Sequence, residues 1–358
     1  MKVCVYAISK NESKFVNRWL DSMGEADYIC VLDTGSTDDT VEKLLSGGAI
    51  VDVKIISPWR FDDARNESMK LIPSDTDICV CTDLDEVWTP GWRYALEKAW
   101  TPGTEQATYR YVWNHNEDGS DGVTMIRDKI HAPGVFRWKH PVHEILERTD
   151  GKTAWSTVYM DGAELHHYAD ESKSRSSYLP LLELAVKEDP NNDRNMHYLG
   201  REYMYYGMHD KAIETLKRHL SLPSATWADE RCASMRFIGR CEAALGRPEE
   251  AMRWFIRACA EAPHTREPWV EAERCAHDLG DWDGVIYFGR KALAIKNRVE
   301  SYICEPSAWG ALPWDLISIA YWHNGDTSSA RTAAIEALKY SPDDERIQNN
   351  LKWYEGCK

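Results

Sequence analysis

Two aspartates separated by one residue form the first candidate for chemistry. Asp83 and Asp85 follow the apolar run 78–82, which has the composition of a buried strand. Along an extended segment, alternate side chains point the same way, so the two carboxylates would lie about 7 Å apart. Carboxylate oxygens suit Mg²⁺ or Mn²⁺, and such an ion can bridge a protein and a diphosphate. The spacing therefore predicts a divalent-cation site, with a solvated acidic turn as the alternative interpretation.

Asp33 and Arg65 are candidates for binding a ligand. Asp33 ends a second apolar run, where its carboxylate could accept from an imide N–H or from ribose hydroxyls. Arg65 could neutralise phosphates, and its alternative role is a structural ion pair with Asp62 or Asp63. Gly35 would permit a tight turn after Asp33.

The elements that must position these residues alternate over the first 100 residues. Strands are predicted at 3–8, 28–32, 51–56 and 78–82, and helices at 13–23, 38–45 and 65–71. This order predicts an α/β fold with a mainly parallel sheet and helices on both faces. Such sheets bind ligands beyond the carboxyl ends of their strands, where the polar clusters at 9–12, 33–38 and 83–86 lie.

Four segments in this region resemble family 2 glycosyltransferases with the GT-A fold, a Rossmann-like α/β arrangement. They are 8–12 (ISKNE), 31–40 (VLDTGSTDDT), 61–66 (FDDARN) and 83–85 (DLD). The resemblance is close from residue 1 to about residue 100 and loose over 101–170. The four motifs have the order and spacing of that family, which makes a chance match improbable.

The resemblance implies a site that binds a nucleotide-sugar, with a UDP-sugar favoured. The residues matched to nucleotide binding are Asn11, Glu12, Asp33, Arg65 and Asp83. By the resemblance, Asp33 contacts the uracil or ribose, and Arg65 contacts the nucleotide or its phosphates. Asp83 faces the ribose and the metal, and Asp85 ligates the Mn²⁺ or Mg²⁺ that bridges the diphosphate.

The segments 137–144 and 165–168 supply the candidates for the remaining roles. An inverting transfer needs a base close to the acceptor, and Glu144 is the candidate, with a structural salt bridge as its alternative role. Asp118 and Asp121 are the other candidate bases. By the resemblance, either His166 or His167 could be a nitrogen ligand of the metal, and only one can serve if the pair lies on a strand, where the two rings face opposite ways. His167 is the predicted ligand, and its alternative role is that of a partly buried histidine hydrogen-bonded to the backbone.

Tryptophans near these motif loops could stack on a sugar. Trp88 follows Asp85 by three residues and is the predicted sugar platform, although most tryptophans of this half are expected in the core.

The second half of the chain has a different texture, rich in Ala, Leu, Glu and Arg with helical periodicity. Gly-x4-Ala recurs at Gly207, Gly246 and Gly325, with Gly280 as a variant, at offsets of 39, 34 and 45 residues. Paired helices that repeat at this interval are typical of tetratricopeptide repeats, which stack into an all-α solenoid. An insertion of about 11 residues separates the third and fourth units. The predicted domains are therefore a GT-A catalytic domain over 1–172 and a repeat domain over 173–358.

Composition limits the partners and the compartment. The chain has 358 residues and a formal net charge of −15, of which residues 1–170 carry −11 from 18 basic and 29 acidic side chains. This charge disfavours nucleic acid as a partner. The ten cysteines lack metal-ligand spacing, which favours reduced thiols and a cytoplasmic location. No apolar run is long enough to predict a membrane span.

Together with the candidate residues, the resemblance to family 2 glycosyltransferases implies a metal-dependent inverting glycosyltransferase that uses a UDP-sugar. The repeat domain would present a peptide, protein or glycan acceptor or form a homodimer, and sublancin-type peptide S-glycosyltransferases have a similar domain layout. The alternative is a non-catalytic tetratricopeptide scaffold that binds a partner and carries a degenerate GT-A domain. A nucleotidyltransferase is less favoured, because the expected glycine-rich, lysine-containing phosphate loop is missing near the first strand.

Overall fold

The computed structural model describes residues 1–170, 178–299, 302 and 304–356. The chain divides into two compact units, Met1–Ala185 and Val186–Lys358. The predicted domain boundary between residues 172 and 173 lies outside the described residues.

Within its described residues, the first unit contains ten strands, four complete helices and most of a fifth helix, which continues into the second unit. The strands are β1 (Val3–Ser9), β2 (Tyr28–Asp33), β3 (Ile50–Val53), β4 (Ile78–Cys81), β5 (Glu86–Trp88), β6 (Gln106–Val112), β7 (Thr124–His131), β8 (Phe136–Lys139), β9 (Ile145–Arg148) and β10 (Thr157–His167). The helices are α1 (Val16–Met23), α2 (Thr40–Ser46), α3 (Phe61–Ser68), α4 (Trp92–Ala99) and α5 (Tyr178–Glu188). The predicted helix 65–71 was misplaced: α3 begins at Phe61, and only a 3₁₀ turn covers Met69–Leu71.

Eight of these strands form one sheet in the order β3-β2-β1-β4-β7-β6-β10-β5. The pairs β3-β2, β2-β1 and β1-β4 are parallel, as predicted from the alternating strands and helices. The other half is mixed, since β7 runs antiparallel to both β4 and β6, and β10 is parallel to β6 but antiparallel to β5. The prediction of a mainly parallel sheet therefore holds for one half only, because a loop rather than a crossover helix joins β6 to β7.

Alternation along β1 shows that both faces of the sheet are covered. Val3, Val5 and Ala7 belong to one buried cluster, which they share with residues of α1 and α4. Cys4 and Tyr6 belong to a second cluster on the opposite face. Continuous apolar runs of this kind are expected for parallel strands that are buried on both sides.

A two-stranded sheet of β8 and β9 covers part of the second face. The side chain of Asn66 joins α3 to this small sheet. It donates to the Trp138 carbonyl of β8 at 2.9 Å and accepts from the Trp138 N–H at 2.8 Å. The loop between β8 and β9 carries Glu144, and His140 and His143 in this loop have positive φ. The 61–66 motif and the loop of Glu144 are thereby held together.

The second unit is a helical repeat region, as predicted. Its described helices are α6 (Asp193–Tyr205), α7 (His209–Ser221), α8 (Ala228–Ala244), α9 (Pro248–Glu261), α10 (Glu267–Asp278), α11 (Trp282–Ala294), α12 (Pro306–Trp309), α13 (Leu312–His323), α14 (Thr327–Leu338) and α15 (Glu345–Gly356). Successive helices pair as α6-α7, α8-α9, α10-α11 and α13-α14. Gly246 lies at the turn of the second pair with φ +73°, and Gly207, Gly280 and Gly325 hold the same left-handed position in the other pairs. This backbone requirement explains the repeating glycine of the sequence.

Nine of the ten cysteines lie among the described residues, and all nine are buried free thiols. Among the described helices, none combines the length and the apolar character required to cross a bilayer.

Candidate functional site

The segment from Asp83 to Glu86 is a turn rather than an extended strand. The Glu86 N–H donates to the Asp83 carbonyl at 3.0 Å, and the Asp83 N–H donates to the Glu86 carboxylate at 2.9 Å. The prediction that the two aspartates align along an extended segment was therefore wrong, since the alternation ends where β4 ends at Cys81. The turn gives Asp83 and Asp85 different surroundings.

Asp83 lies between two cations. One carboxylate oxygen accepts from Arg65 Nη2 at 2.8 Å, and the other accepts from Lys129 Nζ at 2.9 Å. Burial would raise the pKa of Asp83, but the charges of Arg65 and Lys129 outweigh it and hold the pKa well below the ordinary value. Each oxygen already has one cation as a partner, so a metal ion at Asp83 would share the carboxylate with Arg65 and Lys129.

Arg65 is buried and makes three side-chain hydrogen bonds. Its Nε donates to Glu144, its Nη2 to Asp83, and its Nη1 to Cys81 Sγ at 3.2 Å. The alternative partner Asp62 is instead bound by Arg60 at 2.9 Å. Burial lowers the pKa of Arg65 while Asp83, Cys81 and Glu144 raise it, and the net pKa lies well above the ordinary value. Arg65 is therefore a permanently charged centre within this network.

Glu144, the predicted base, is one of the partners of Arg65. Its Oε1 accepts from Arg65 Nε, and only 10% of its side chain is exposed. The structure thus shows the salt bridge that was the alternative role for this residue. A base must be free to take a proton, so in this arrangement Glu144 is held away from that task.

Asp85 faces His167. The distance between Asp85 Oδ2 and His167 Nε2 is 3.3 Å, and His167 Nδ1 lies 2.8 Å from the Trp113 carbonyl oxygen. Burial lowers the pKa of His167, but the hydrogen bond and charge of Asp85 outweigh it and raise the pKa. Because the Trp113 carbonyl can only accept, Nδ1 carries a proton and Nε2 is the atom left for a cation. The contact with the Trp113 carbonyl is the one that the alternative role of His167 requires, and Asp85 Oδ2 and His167 Nε2 would supply two of the ligands of a Mn²⁺ or Mg²⁺ ion.

His166 points to the other side of β10. Its Nδ1 lies 2.9 Å from His115 Nε2, and its Nε2 lies 3.4 Å from a Glu164 oxygen. The expected opposition of the two histidines therefore occurs, and His167 is the one that faces Asp85. Asp121, a candidate base, pairs with Arg110 at 2.8 Å.

Asp33 holds its own loop together. Its Oδ1 accepts from the Gly35 and Ser36 N–H groups at 3.0 and 2.7 Å. Its Oδ2 accepts from the hydroxyls of Ser9 at 2.8 Å and Ser36 at 2.5 Å. The buried carboxylate is thus fully engaged and does not offer the free acceptor that was predicted for a nucleotide.

Asn11 and Glu12 also belong to this loop network. The Asn11 side chain accepts from the Thr37 N–H at 2.7 Å, and the Glu12 N–H donates to the Thr40 hydroxyl at 2.8 Å. The loops after β1 and β2 are thus tied together at the carboxyl edge of the sheet, which is the edge where ligands of such folds bind.

Trp88, the predicted sugar platform, is a core residue. Only 2% of it is exposed, and it packs on Trp92 and Tyr109 at centroid distances of 5.7 and 4.7 Å. Trp113 is the exposed tryptophan beside the Asp85–His167 pair, with 37% exposure and its ring 5.0 Å from that of His167. The predicted sugar platform was Trp88 because of its spacing from Asp85, whereas the pairing of β6 with β10 places Trp113 beside His167.

Lys129 was missed by the sequence analysis. It lies on β7, whose place beside β4 brings the ammonium group to Asp83 and within 3.6 Å of Glu86. No motif includes it, and the antiparallel insertion of β7 was not predicted. The segment 124–131 (TMIRDKIH) has no regular alternation of apolar and polar residues that would have indicated an inward side chain at Lys129.

Comparison with known proteins covers only part of the chain. No family model matches it. Solved structures that match about half of it include MamA, at 20% identity over 50% of this chain and 99% of MamA, with a TM-score of 0.39. YrrB, described as a TPR protein with an unusual peptide-binding site, is 15% identical over 49% of this chain and 83% of its own, with a TM-score of 0.39. PilF of Pseudomonas aeruginosa is 11% identical over 50% and 72% of the two chains, with a TM-score of 0.38. At such identities and TM-scores, these similarities carry no inference about function.

Proposed function

We propose that this chain is a metal-dependent inverting glycosyltransferase that transfers a sugar from a nucleotide diphosphate donor, a UDP-sugar, to a peptide, protein or glycan. The observation that carries the proposal is the Asp85–His167 pair, with 3.3 Å between Oδ2 and Nε2. Asp85 lies in the turn that follows β4, and His167 is the last residue of β10. The order β3-β2-β1-β4, with its loops at one sheet edge, supports a GT-A fold for the first unit.

Asp85 and His167 would hold the Mn²⁺ or Mg²⁺ ion. When bound, such an ion supplies positive charge at the diphosphate, where negative charge accumulates as the sugar leaves. The Trp113 carbonyl fixes the tautomer of His167, and the turn at 83–86 fixes the backbone of Asp85. The chain therefore orients both ligands before a donor binds.

Arg65 and Lys129 are the two cations of the neighbouring charged network. Three carboxylates, Asp83, Glu86 and Glu144, balance them, so the five groups together carry a formal charge of −1. A diphosphate that displaced Glu144 would meet the Arg65 guanidinium, which can donate to phosphate oxygens. As the base, Glu144 would have to leave Arg65 once donor and acceptor are bound.

The repeat region would bind the acceptor. Stacked helix pairs form an extended surface that suits peptides and other long chains. A peptide or protein acceptor is proposed first, and a glycan second. In this proposal the chain acts in the cytoplasm, and a homodimer formed through the repeats is the other use of that surface.

The second candidate function is a partner-binding scaffold without catalysis. The observation in its favour is that Asp33, Asp83 and Glu144 are all engaged in internal bonds. A degenerate site would keep such bonds for stability alone.

Donor binding by the full chain separates the two functions. The unfolding temperature would be measured with Mn²⁺ and a panel of UDP- and GDP-sugars, because a ligand at about 100 times its dissociation constant adds about 2.7 kcal/mol of stability. We expect a UDP-sugar to stabilise the chain only with metal present, and Asp85→Asn to abolish the effect. The matched control is Asp161→Asn, an exposed carboxylate on the strand of His167. Lack of stabilisation by every donor would favour the scaffold.

A further inference from the structure

A second group of metal-binding side chains lies on the opposite side of β10 from His167. The loop between β6 and β7 folds back so that His115 and Asp121 form an isolated β-bridge. His166 approaches both of them from β10, and one ligand atom from each of the three residues lies within 4.8 Å of the other two.

The separation of the two imidazole nitrogens is a few tenths of an ångström shorter than a zinc ion requires. His115 Nε2 and His166 Nδ1 are 2.9 Å apart, and the rings are nearly parallel at 10° with centroids 5.2 Å apart. Two nitrogens at 2.0–2.1 Å from a tetrahedral ion would be about 3.3 Å apart. The rings thus need to separate by only a few tenths of an ångström. A cation between the two nitrogens would replace the proton that they now share.

Two neighbouring residues, Glu164 and Arg110, contact the proposed ligands in the way that residues around a metal site hold its ligands in place. Glu164 Oε2 lies 3.4 Å from His166 Nε2, the nitrogen that faces away from His115. Arg110 joins the two carboxylates, with 2.8 Å to Asp121 Oδ2 and 2.8 Å to Glu164 Oε1. A carboxylate on the distal nitrogen of a histidine fixes its tautomer and raises its strength as a ligand.

We infer that His115, His166 and Asp121 form a zinc site with water in the fourth position. Two imidazole nitrogens and one carboxylate select Zn²⁺ over Mg²⁺ or Mn²⁺, which prefer oxygen ligands. The site does not rest on the proposed function, since it uses none of the residues assigned to the donor. Bound zinc ties the loop of His115 to β10, and the same loop begins at Trp113, whose carbonyl orients His167.

Zinc titration of the metal-free full chain tests the inference. Calorimetry would count the Zn²⁺ bound to the parent chain and to three variants: His115→Gln, His166→Gln and Asp121→Asn. We expect one equivalent to be lost in both histidine variants and its affinity to fall at least about 10-fold in Asp121→Asn. Glu164→Gln, which leaves all three ligands in place, is expected to weaken binding about 10- to 100-fold.

Two controls separate this site from other groups. His167→Gln removes the proposed donor-site ligand, and His219→Gln removes the histidine of the Asp193–His219–Glu230 cluster in the repeat region. Both variants should still bind the equivalent of Zn²⁺ that the His115 and His166 variants are expected to lose. Urea unfolding without metal verifies that each variant is folded. If a histidine variant does not fold, the zinc affinities of the Asp121 and Glu164 variants test the inference in its place. Equal zinc uptake by the parent and the His115 and His166 variants would overturn the inference, as would loss of that equivalent in either control.

Discussion

At the scale of single residues, the first unit is organised around buried charges that compensate one another. Lys129 contacts Asp83 at 2.9 Å and Glu86 at 3.6 Å, and Arg65 balances the second charge of this group. Burial raises the pKa of Glu86, whereas Lys129 lowers it and Asp83 raises it further, and the net pKa lies above the ordinary value. Removal of Lys129 would leave the buried Glu86 carboxylate without its cation, while Asp83 would keep Arg65. A buried carboxylate without its cation costs more than the loss of an exposed ion pair.

Lys129→Met is therefore expected to lower the free energy of unfolding by about 3–5 kcal/mol. Lys152→Met is the matched control, because Lys152 is 69% exposed and its pair with Asp150 is solvated. That control should change stability by less than about 1 kcal/mol. Urea titration of both variants checks the prediction, and equal losses would contradict it. Adding Glu86→Gln to Lys129→Met should recover part of the loss.

His131 is a buried neutral histidine in a chain of hydrogen bonds. Trp138 Nε1 donates to the Tyr6 hydroxyl at 2.8 Å, and that hydroxyl lies 2.8 Å from His131 Nε2. His131 Nδ1 lies 3.0 Å from the Ala132 carbonyl oxygen, so Nδ1 carries the proton and Nε2 accepts from Tyr6. Burial lowers the pKa of His131 to about 4.

The first unit should consequently lose stability as the pH falls from about 6.5 to about 4. Below the ordinary histidine pKa, His131 is protonated in the unfolded chain but stays neutral in the folded chain. The free energy of unfolding therefore falls by an amount that grows to roughly 3 kcal/mol at pH 4. His131→Gln should reduce the slope of unfolding free energy against pH by one proton over this interval. NMR titration of the His131 ring measures its pKa directly, and a midpoint near 6.5 would contradict the prediction.

Sequence reasoning placed some site residues better than others. The pairing of Asp85 with His167 agrees with the motif and with alternation along β10, because both are local properties of the chain. Lys129 and Trp113 reach the site through the register of β6, β7 and β10, which depends on contacts between distant segments. The spacing of residues within one segment does not determine which strand that segment pairs with or in which register.

At the scale of elements, the predictions succeeded where periodicity decides the structure and failed where a turn interrupts it. The apolar runs of β1, β2 and β4 were located within one or two residues. The turn at 83–86 was only the alternative interpretation, since the hydrogen bonds that form it involve Glu86, which in the sequence simply extends an acidic cluster. A carboxylate that closes a turn and one that binds a ligand have the same sequence signature.

The loop after β2 depends on one glycine. Gly35 has φ +105°, and its N–H is one of the donors to Asp33. Gly35→Ala should cost about 1 kcal/mol, because a side chain is strained in this backbone region. The control is Gly24→Ala, since Gly24 has φ −63° and a Cβ there would meet only ordinary contacts. Urea unfolding of the two variants tests this, and equal stabilities would contradict the assigned strain.

At the scale of the whole molecule, both units bury charged networks beside apolar clusters. In the sheet unit Lys129 pairs with Asp83 at 2.9 Å, and in the repeat unit the buried Arg236 pairs with Glu305 at 2.7 Å. The repeat unit also relies on close approach of small residues: a Cβ on Gly239 of α8 would lie 2.4 Å from the Phe255 ring of α9. The sequence predicted the repeat through its glycines, although the glycine that keeps α8 and α9 close differs from those at the turns.

Gly239→Ala should therefore destabilise the repeat region by about 1–3 kcal/mol through overpacking. The Phe255 ring is buried and cannot swing away as a long flexible side chain could. Gly356→Ala is the control, because a Cβ at Gly356, in the last helical position, meets nothing within 4 Å. Chemical unfolding of both variants provides the comparison, and a neutral Gly239→Ala would contradict the predicted close packing.

The division into two units predicts how far each of these losses spreads. Each repeat is stabilised by its neighbours, so the effect of Gly239→Ala should extend from α8 and α9 into the adjoining helix pairs. Lys129→Met should act on the sheet strands through Asp83 and Glu86. Amide hydrogen exchange with mass spectrometry reads the opening free energy of each segment in the intact chain. We expect Gly239→Ala to reduce protection in α6–α11 and leave β1 and β4 unchanged, and Lys129→Met to do the reverse. If either variant lowered protection in both sets of segments, the two units would unfold as one.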